Sequence, residues 1–350
     1  MKEFVYQGSA ARIVFGASKI ASVQEEIERL GCSRALVLST PGQRVDAETL
    51  ASRLGPLAVG VYANATMHTP VSVTQDALQY TKEHRADCVV TLSAGSTIDL
   101  GKAIAVRSGL KQIAVPTTYA GSEVTPILGE TVDGNKTTRW APEIQPNVVI
   151  YDVNLTLSLP AALSVISGLN AMAHAVEALY ACNANPITSF MAEQGVAALA
   201  RSLPVIQASP SDGAARAEAL YGAWLAGTCL GAVGMALHHK ICHVPGGTFN
   251  LPHAESHAVM LPHVVRFNSE AAPEAMKQLA RALQTEDPVD GMFNLSERLG
   301  APNALATLGM PSSGIETVTD RVTREPYWNP RPIEHEPLRQ LIVNAYYGKR

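Results

Sequence analysis

Residues 86–108 read ADCVVTLSAGSTIDLGKAIAVRS. A short apolar run of strand type, CVVTL, ends in four small residues, Ser93, Ala94, Gly95 and Ser96, and a helical pattern follows at once. A strand that is apolar on both sides belongs to a parallel sheet covered on both faces. The small residues after it would let a phosphate approach backbone N–H groups at the positive end of the helix. An ordinary tight strand-to-helix turn needs the same residues, and the GxGxxG fingerprint is absent.

Working outward, RALVLST (34–40), LAVGVYAN (57–64), QIAVPTT (112–118) and NVVIYD (147–152) read as further strands, and VSVTQDALQYTKEHR (71–85) as a helix. ETVDGNKTT (130–138) carries an Asp-Gly pair between β-type flanks, which predicts a hairpin. Alternating strands and helices give an α/β, Rossmann-like nucleotide-binding domain with a parallel sheet. The loop VPTTYAGSEVT (115–125) also follows a strand and offers the hydroxyls of Thr117, Thr118, Tyr119, Ser122 and Thr125 beside Gly121. Parallel strands bring both loops to the carboxyl edge, where ligands bind. The expected dinucleotide contacts are therefore Gly95, Ser96 and these five hydroxyls. The strand at 34–40 ends in Ser39 and Thr40 rather than in an acid that would hold a ribose and repel a 2′-phosphate, so NAD and NADP are both compatible.

After Pro160 the strand signals stop. AALSVISGLNAMAHAVEALYA, SFMAEQGVAALARSLPVI and AARAEALYGAWLAGTCLGAVGMALHH are long, Ala/Leu-rich and helical. The expected division is an α/β domain over 1–157 and an all-helical domain over 158–350, with the active site in the cleft between them. A length of 350 residues suits two domains. A net charge of −4 points to no nucleic acid or anionic membrane as partner. No apolar run approaches the roughly 18 residues of a membrane span, and the N-terminus has no secretory pattern. Five cysteines without a CxxC read as reduced thiols. Together these predict a cytoplasmic enzyme.

Six of the ten histidines fall between 238 and 263, in HHKICHVPGGTFNLPHAESHAVMLPH. His239 and His243 are one helical turn apart, Pro245-Gly246-Gly247 is expected to break that helix, and His253 follows a proline that would open the next. This order brings His239, His243 and His253 towards one pocket. His238, His257 and His263 read as core or surface residues. Clustered histidines serve either a metal or acid–base chemistry. In SGLNAMAHAVEALY (167–180), Asn170 and His174 share a helix face, and Glu177, one turn further on, reads as a helix-surface charge. A metal set of His174, His239 and His253 would lack the anionic oxygen ligand a hard ion prefers, because position 170 is Asn.

SAGSTIDLGK, PTTYAGSEVT, KTTRWAPEIQPNVVIYDVNLTLSLP, HAVEALY and the histidine-rich segment, in this order, resemble the iron-containing alcohol dehydrogenase superfamily, whose architecture includes the dehydroquinate synthase-like fold. The resemblance covers essentially the whole chain. Its metal set of one Asp and three His maps onto Asn170, His174, His239 and His253, with the Asp missing. FVYQGSAARIVFG, PTTYAGSEVTPILGET, KTTR and NPRPI (329–333) resemble its maleylacetate reductase branch, which is described as working without a catalytic metal. The usual GGGS turn is here Ser93-Ala94-Gly95-Ser96. The resemblance implies reduction of the C=C bond of maleylacetate to 3-oxoadipate by NADH or NADPH, no metal, and a homodimer.

For that chemistry His243 and His253 are the expected donor pair, with His174 and His239 shaping the pocket around Asn170. The dianionic oxoacid substrate calls for cations, and Lys240 and Arg139 are candidates. Lys136 is assigned to the cofactor. Two alternatives share the architecture: a metal-dependent alcohol or polyol dehydrogenase, and a lyase like dehydroquinate synthase.

Overall fold

The computed structural model describes residues 3–132 and 135–350, with Asn135 and Lys136 described by their backbone alone. It falls into two compact units, Gly8–Leu159 and Pro160–Arg350, the latter joined by the N-terminal segment up to Gln7.

The first unit alternates β1 (Arg12–Gly16), α1 (Val23–Arg29), β2 (Ala35–Leu38), α2 (Arg44–Leu54), β3 (Ala58–Tyr62), α3 (Val71–Glu83), β4 (Cys88–Ser93), α4 (Gly95–Ser108), β5 (Lys111–Pro116), the hairpin β6 (Ile127–Val132) and β7 (Asn135–Trp140), and β8 (Val148–Asp152). Six strands form one parallel sheet in the order β1-β8-β5-β4-β2-β3. The expected hairpin is present, with Val132 opposite Asn135, while its Asp133-Gly134 turn lies outside the described residues. Alternate residues of β2 serve opposite faces. Ala35 and Val37 join a core with Val23, Ile27, Leu50 and Leu54, whereas Leu36 and Leu38 pack with Ala77, Leu100 and Ile104. That two-sided burial is why these strands read as continuous apolar runs. The edge strand β1 has no counterpart in the sequence reading. It is only half buried, and its pairing with β8 joins residues more than a hundred positions apart.

The second unit contains α5 (Ala161–Leu179), α6 (Pro186–Ala208), α7 (Gly213–Ala232), α8 (Leu237–Phe249), α9 (His253–Asn268), α10 (Pro273–Leu283), α11 (Pro288–Arg298), α12 (Gly314–Arg324) and α13 (His335–Tyr347). Asn185 starts α6 with a capping box: its side chain accepts from the Ile187 and Thr188 amides, and the Thr188 hydroxyl accepts from the Asn185 amide. Helix α5 packs on α6, α7 and α9, so its apolar length is core.

Helices α6 and α7 approach closely through glycine. A Cβ added at Gly222 would lie 3.0 Å from the Gly195 carbonyl oxygen and 2.8 Å from Leu199 Cγ. Backbone cannot yield as a flexible side chain does, so Gly222→Ala is expected to destabilise the protein by about 1–3 kcal/mol. The midpoint of chemical denaturation checks this, and an unchanged midpoint would contradict the crossing.

Two helix boundaries differ from expectation. The run from 213 to His239 is not one helix, because α7 and α8 meet at 93°. The amides that a continuous helix would bond internally are captured elsewhere. Gly234 N–H donates to Asn183 Oδ1, and Ala236 and His238 N–H donate to the Glu177 carboxylate. Conversely, α8 runs through Pro245-Gly246-Gly247 to Phe249, ending at Asn250 in the left-handed region (φ 52°). Proline costs about 3 kcal/mol in a helix interior and each glycine about 1. Burial offsets this: Pro245 is buried, and Val244 and Phe249 pack on the core formed by Leu237, Ile241, Leu251 and Met310.

Candidate active site

In the α/β unit the path of the chain reverses between β2 and β4. From β2 it proceeds outward to β3, then returns to β4 on the other side of β2 and continues to β5. A ligand crevice forms at the carboxyl ends of strands at such a switch point. Ser39 and Thr40 follow β2, and the Ser93–Ser96 turn ends β4, so these two flank it, while the loop at 115–125 follows β5, the next strand. Gly95 and Ser96 open α4, where unsatisfied N–H groups and the helix dipole favour an anion. Two buried hydroxyls near this turn, Thr97 Oγ1 and Ser122 Oγ, have no hydrogen-bond partner among the described residues. Unpartnered donors beside a helix N-terminus suit a dinucleotide diphosphate.

The other residues of the expected set differ in setting. Tyr119 is fully buried, and Thr125 Oγ1 accepts from Lys102 Nζ at 3.0 Å. Thr117 Oγ1 accepts from Gln43 Nε2 at 3.1 Å, while Thr118 is half buried. Ser39 is buried and Thr40 partly exposed. Sequence reading missed Gln43, whose amide also receives the Ser93 hydroxyl and so ties the loops after β2, β4 and β5 together. It missed Lys102 as well. That side chain is fully buried and donates to the carbonyls of Ser122 and Ile127 at 2.6 and 2.7 Å. These bonds pin the second loop to α4, and burial pushes the Lys102 ammonium down to about 8. Lys136 lies on β7 with its side chain outside the described residues. Arg139, further along β7, is exposed and pairs with Glu143 at 3.1 Å.

The helical unit gathers six histidines around α5, α8 and α9, among them His238, whose ring lies 4.8 Å from that of His257. His174 Nδ1 lies 2.8 Å from His239 Nε2. The His243 ring is 6.1 Å from that of His239 and 6.4 Å, nearly parallel, from that of His253. His257 sits 4.3 Å from His253, 5.0 Å from His239 and 6.3 Å from His174, measured between ring centroids. The expected convergence is therefore present, with His257 inside it rather than in a separate core. His174, His239 and His257 are buried, whereas His243 and His253 are only half buried. Burial, with the neighbouring histidines adding to it, holds His257 well below the usual imidazole range, and burial takes His238 to about 4. His263 packs on Phe293 at 5.2 Å, consistent with its reading as core. Lys240 Nζ pairs with the exposed Glu325 at 3.2 Å and lies over the Tyr327 ring.

Glu177 overturns its reading as a surface charge. It is fully buried and accepts hydrogen bonds from the Ala236 and His238 amides at 3.0 and 2.7 Å and from His239 Nδ1 at 2.5 Å. Burial opposes its charge, but His239, His238 and the Ala236 amide outweigh burial and hold the carboxyl below its usual range. The available signal was its solitude, as the single charged residue in 161–181, three positions after His174. A lone charge on an apolar helix that is buried must be paired.

The four positions that resemble a metal set do not fit a divalent ion. Asn170 contributes a neutral amide, its Nδ2 3.5 Å from His174 Nε2. Both His239 nitrogens are engaged, by Glu177 and by His174. Nitrogens bound to one tetrahedral ion at about 2.1 Å would sit roughly 3.4 Å apart, whereas His174 Nδ1 and His239 Nε2 are 2.8 Å apart, a hydrogen-bond distance. Among the described residues, the acid, cysteine and histidine groups compact enough for an ion are His238–Cys242–His257, Cys32–Asp87–Cys88 and Glu177–His238–His239. The inherited triple His174–His239–His253 is not one of them.

Comparison with known proteins follows the same division. The iron-containing alcohol dehydrogenase model matches residues 10–153, and that of the C-terminal part of the Fe-containing alcohol dehydrogenase family matches 164–346. A maleylacetate reductase of Rhizobium sp. (strain MTP-10005) is 55% identical over 350 residues, covering 100% of this chain and 99% of its own. One from Burkholderia cepacia is 50% identical, with the same coverage. The crystal structure of maleylacetate reductase from Agrobacterium tumefaciens is 56% identical, covers 100% of both chains and superposes with a TM-score of 0.97.

Proposed function

The chain belongs to the iron-containing alcohol dehydrogenase family, and from that premise we propose that it reduces the C=C bond of maleylacetate to 3-oxoadipate with NADH or NADPH and without a catalytic metal. The observation that carries this reading is its high identity to maleylacetate reductases across the whole chain. The neutral Asn170 in the histidine site agrees with it.

The bound dinucleotide would supply the hydride. The acceptor is a double bond conjugated to a ketone, so reduction at the β-carbon moves an electron pair onto the ketone oxygen. The α-carbon of that enolate then takes a proton. A metal Lewis acid is the usual device for an unactivated carbonyl, whereas an activated enone needs only donors at the developing oxyanion. One such donor is worth about 2.7–4 kcal/mol in the transition state. His243 and His253 are the pair assigned here, one hydrogen-bonding the oxyanion and the other delivering the proton. Their half-buried rings support that role, and a histidine suits proton transfer near neutral pH. His174 and His239 shape the pocket behind them.

Lys240, Arg139 and Lys136 are the cations of this reading, the first two for the substrate carboxylates and the third for the dinucleotide. Lys240 is the best supported, because it lies on α8 directly after His239. Five free cysteines suit a reducing cytoplasm, and a homodimer completes the proposal.

Maleylacetate is expected to drive oxidation of NADH or NADPH catalytically, whereas alkanols and glycerol should support no reduction of NAD. Turnover with the alcohols and none with maleylacetate would replace this reading by an alcohol dehydrogenase.

A further inference from the structure

We propose that Glu177 is a positioning residue of the histidine site: its carboxylate fixes which nitrogen of His239 carries the proton and thereby sets the direction of the whole His239–His174–Asn170 chain.

Asn170, His174 and Glu177 lie at i, i+4 and i+7 on α5, one stripe of a single helix. All three are buried. Helix α8 brings His239 against that stripe, so four side chains form a continuous chain with contacts of 3.5, 2.8 and 2.5 Å from Asn170 to Glu177. Tautomers follow from the partners. A carboxylate only accepts, so His239 must hold its proton on Nδ1. His239 Nε2 is then an acceptor and takes the Nδ1 proton of His174. His174 Nε2 is left as an acceptor facing the Asn170 amide, which donates from Nδ2. The orphaned state of Asn170 Oδ1 agrees with its NH2 end being turned to the ring.

The strong end of this chain is Glu177. Its bond to His239 is the shortest of the three, and two backbone N–H groups at the start of α8 hold it in place. The Asn170 contact is the longest. An amide can also turn over to offer either atom, so it follows the ring rather than directing it. The family's carboxylate is missing at position 170, but a buried carboxylate two turns along the same helix still governs the histidines.

Glu177→Gln tests this at the cost of one backbone hydrogen bond, because Oε1 accepts the His238 amide and Oε2 the Ala236 amide. With the glutamine oxygen on the shorter His238 bond, its NH2 faces His239 and requires Nδ1 to become an acceptor. Each link then reverses: His239 Nε2–H donates to His174 Nδ1, and His174 Nε2–H donates to a turned Asn170 carbonyl. Glu177→Ala would strand two backbone amides and report on folding instead.

Multiple-bond ¹H–¹⁵N spectra of histidine-labelled protein read the tautomer directly. His239 is expected as Nδ1–H in the unaltered chain, as Nε2–H in Glu177→Gln, and still as Nδ1–H in Asn170→Ala. A His239 tautomer unmoved by Glu177→Gln, or moved by Asn170→Ala, would overturn the proposal. The kinetic arm rests on the proposed reduction. Glu177→Gln should lower kcat about 10- to 100-fold, the usual effect of losing the partner that orients a functional histidine, with NADH affinity and the KM for maleylacetate near their starting values. A tautomer change with undiminished kcat would also overturn it. Failure of the unaltered protein to reduce maleylacetate would show instead that the reductase reading is wrong, and the spectra would still decide the wiring.

Discussion

Truncating either His243 or His253 to alanine is expected to lower kcat for maleylacetate about a hundredfold or more, the range for loss of a general acid or base. Dinucleotide affinity, measured by NADH fluorescence, should be unaffected. The expectation rests on a gradient of burial within one cluster. His238 and His257 are fully enclosed and held neutral, and His174 and His239 spend their ring nitrogens on each other and on Glu177 and Asn170. The remaining two rings, partly exposed and nearly parallel at 6.4 Å, are the pair the proposal assigns to the substrate. Because both are partly exposed, removing them leaves no sealed cavity, so stability should change little. Near-normal rates in both variants would remove them from the proton inventory. The deeper His257, whose two ring nitrogens have no hydrogen-bond partner among the described residues, would then be the next ring to truncate.

The α/β unit was legible because its strands are apolar on both faces and its turns fall at their carboxyl ends, a local pattern that CVVTLSAGS displays in full. The helical unit was legible as helix but not in its joints. Helix α8 begins where it does because Asn183 and Glu177, more than fifty residues upstream, take the amides of Gly234, Ala236 and His238. It survives Pro245 because Pro245 is buried and the partly buried Val244 and Phe249 pack against distant core. Neither cause lies near in sequence to its effect. The same holds for the site. His174, His239, His243 and His253 could be picked out by spacing. Glu177 could not, since periodicity assigns a charge to the surface unless a partner is known, and that partner arrives from another helix. Gln43 was hidden for the same reason, because its bonds to Ser93 and Thr117 join three strand ends that only the parallel sheet brings together.

Placing a carboxylate at position 170 should make the site hold a divalent ion and depend on it for stability. In the unaltered chain, prolonged chelation is expected to leave maleylacetate reduction intact, since the donor set offers one neutral amide and two histidines already bonded to each other. Asn170→Asp places a second buried carboxylate on the stripe that carries Glu177, and brackets His174 and His239 between two anions. An uncompensated buried charge costs about 3–5 kcal/mol, so this variant should unfold at distinctly lower denaturant in the presence of chelator. A bound Zn²⁺ or Fe²⁺ would neutralise the pair of carboxylates and separate the two rings to ligand spacing. A metal present at a hundred times its Kd returns about 2.7 kcal/mol, so most of the lost stability should reappear on adding metal, with close to one equivalent retained after desalting. The unaltered protein should show neither the loss nor the recovery. If its own activity falls on chelation and returns with Fe²⁺ or Zn²⁺, the amide at 170 does not exclude a metal and the reduction runs by Lewis-acid chemistry after all.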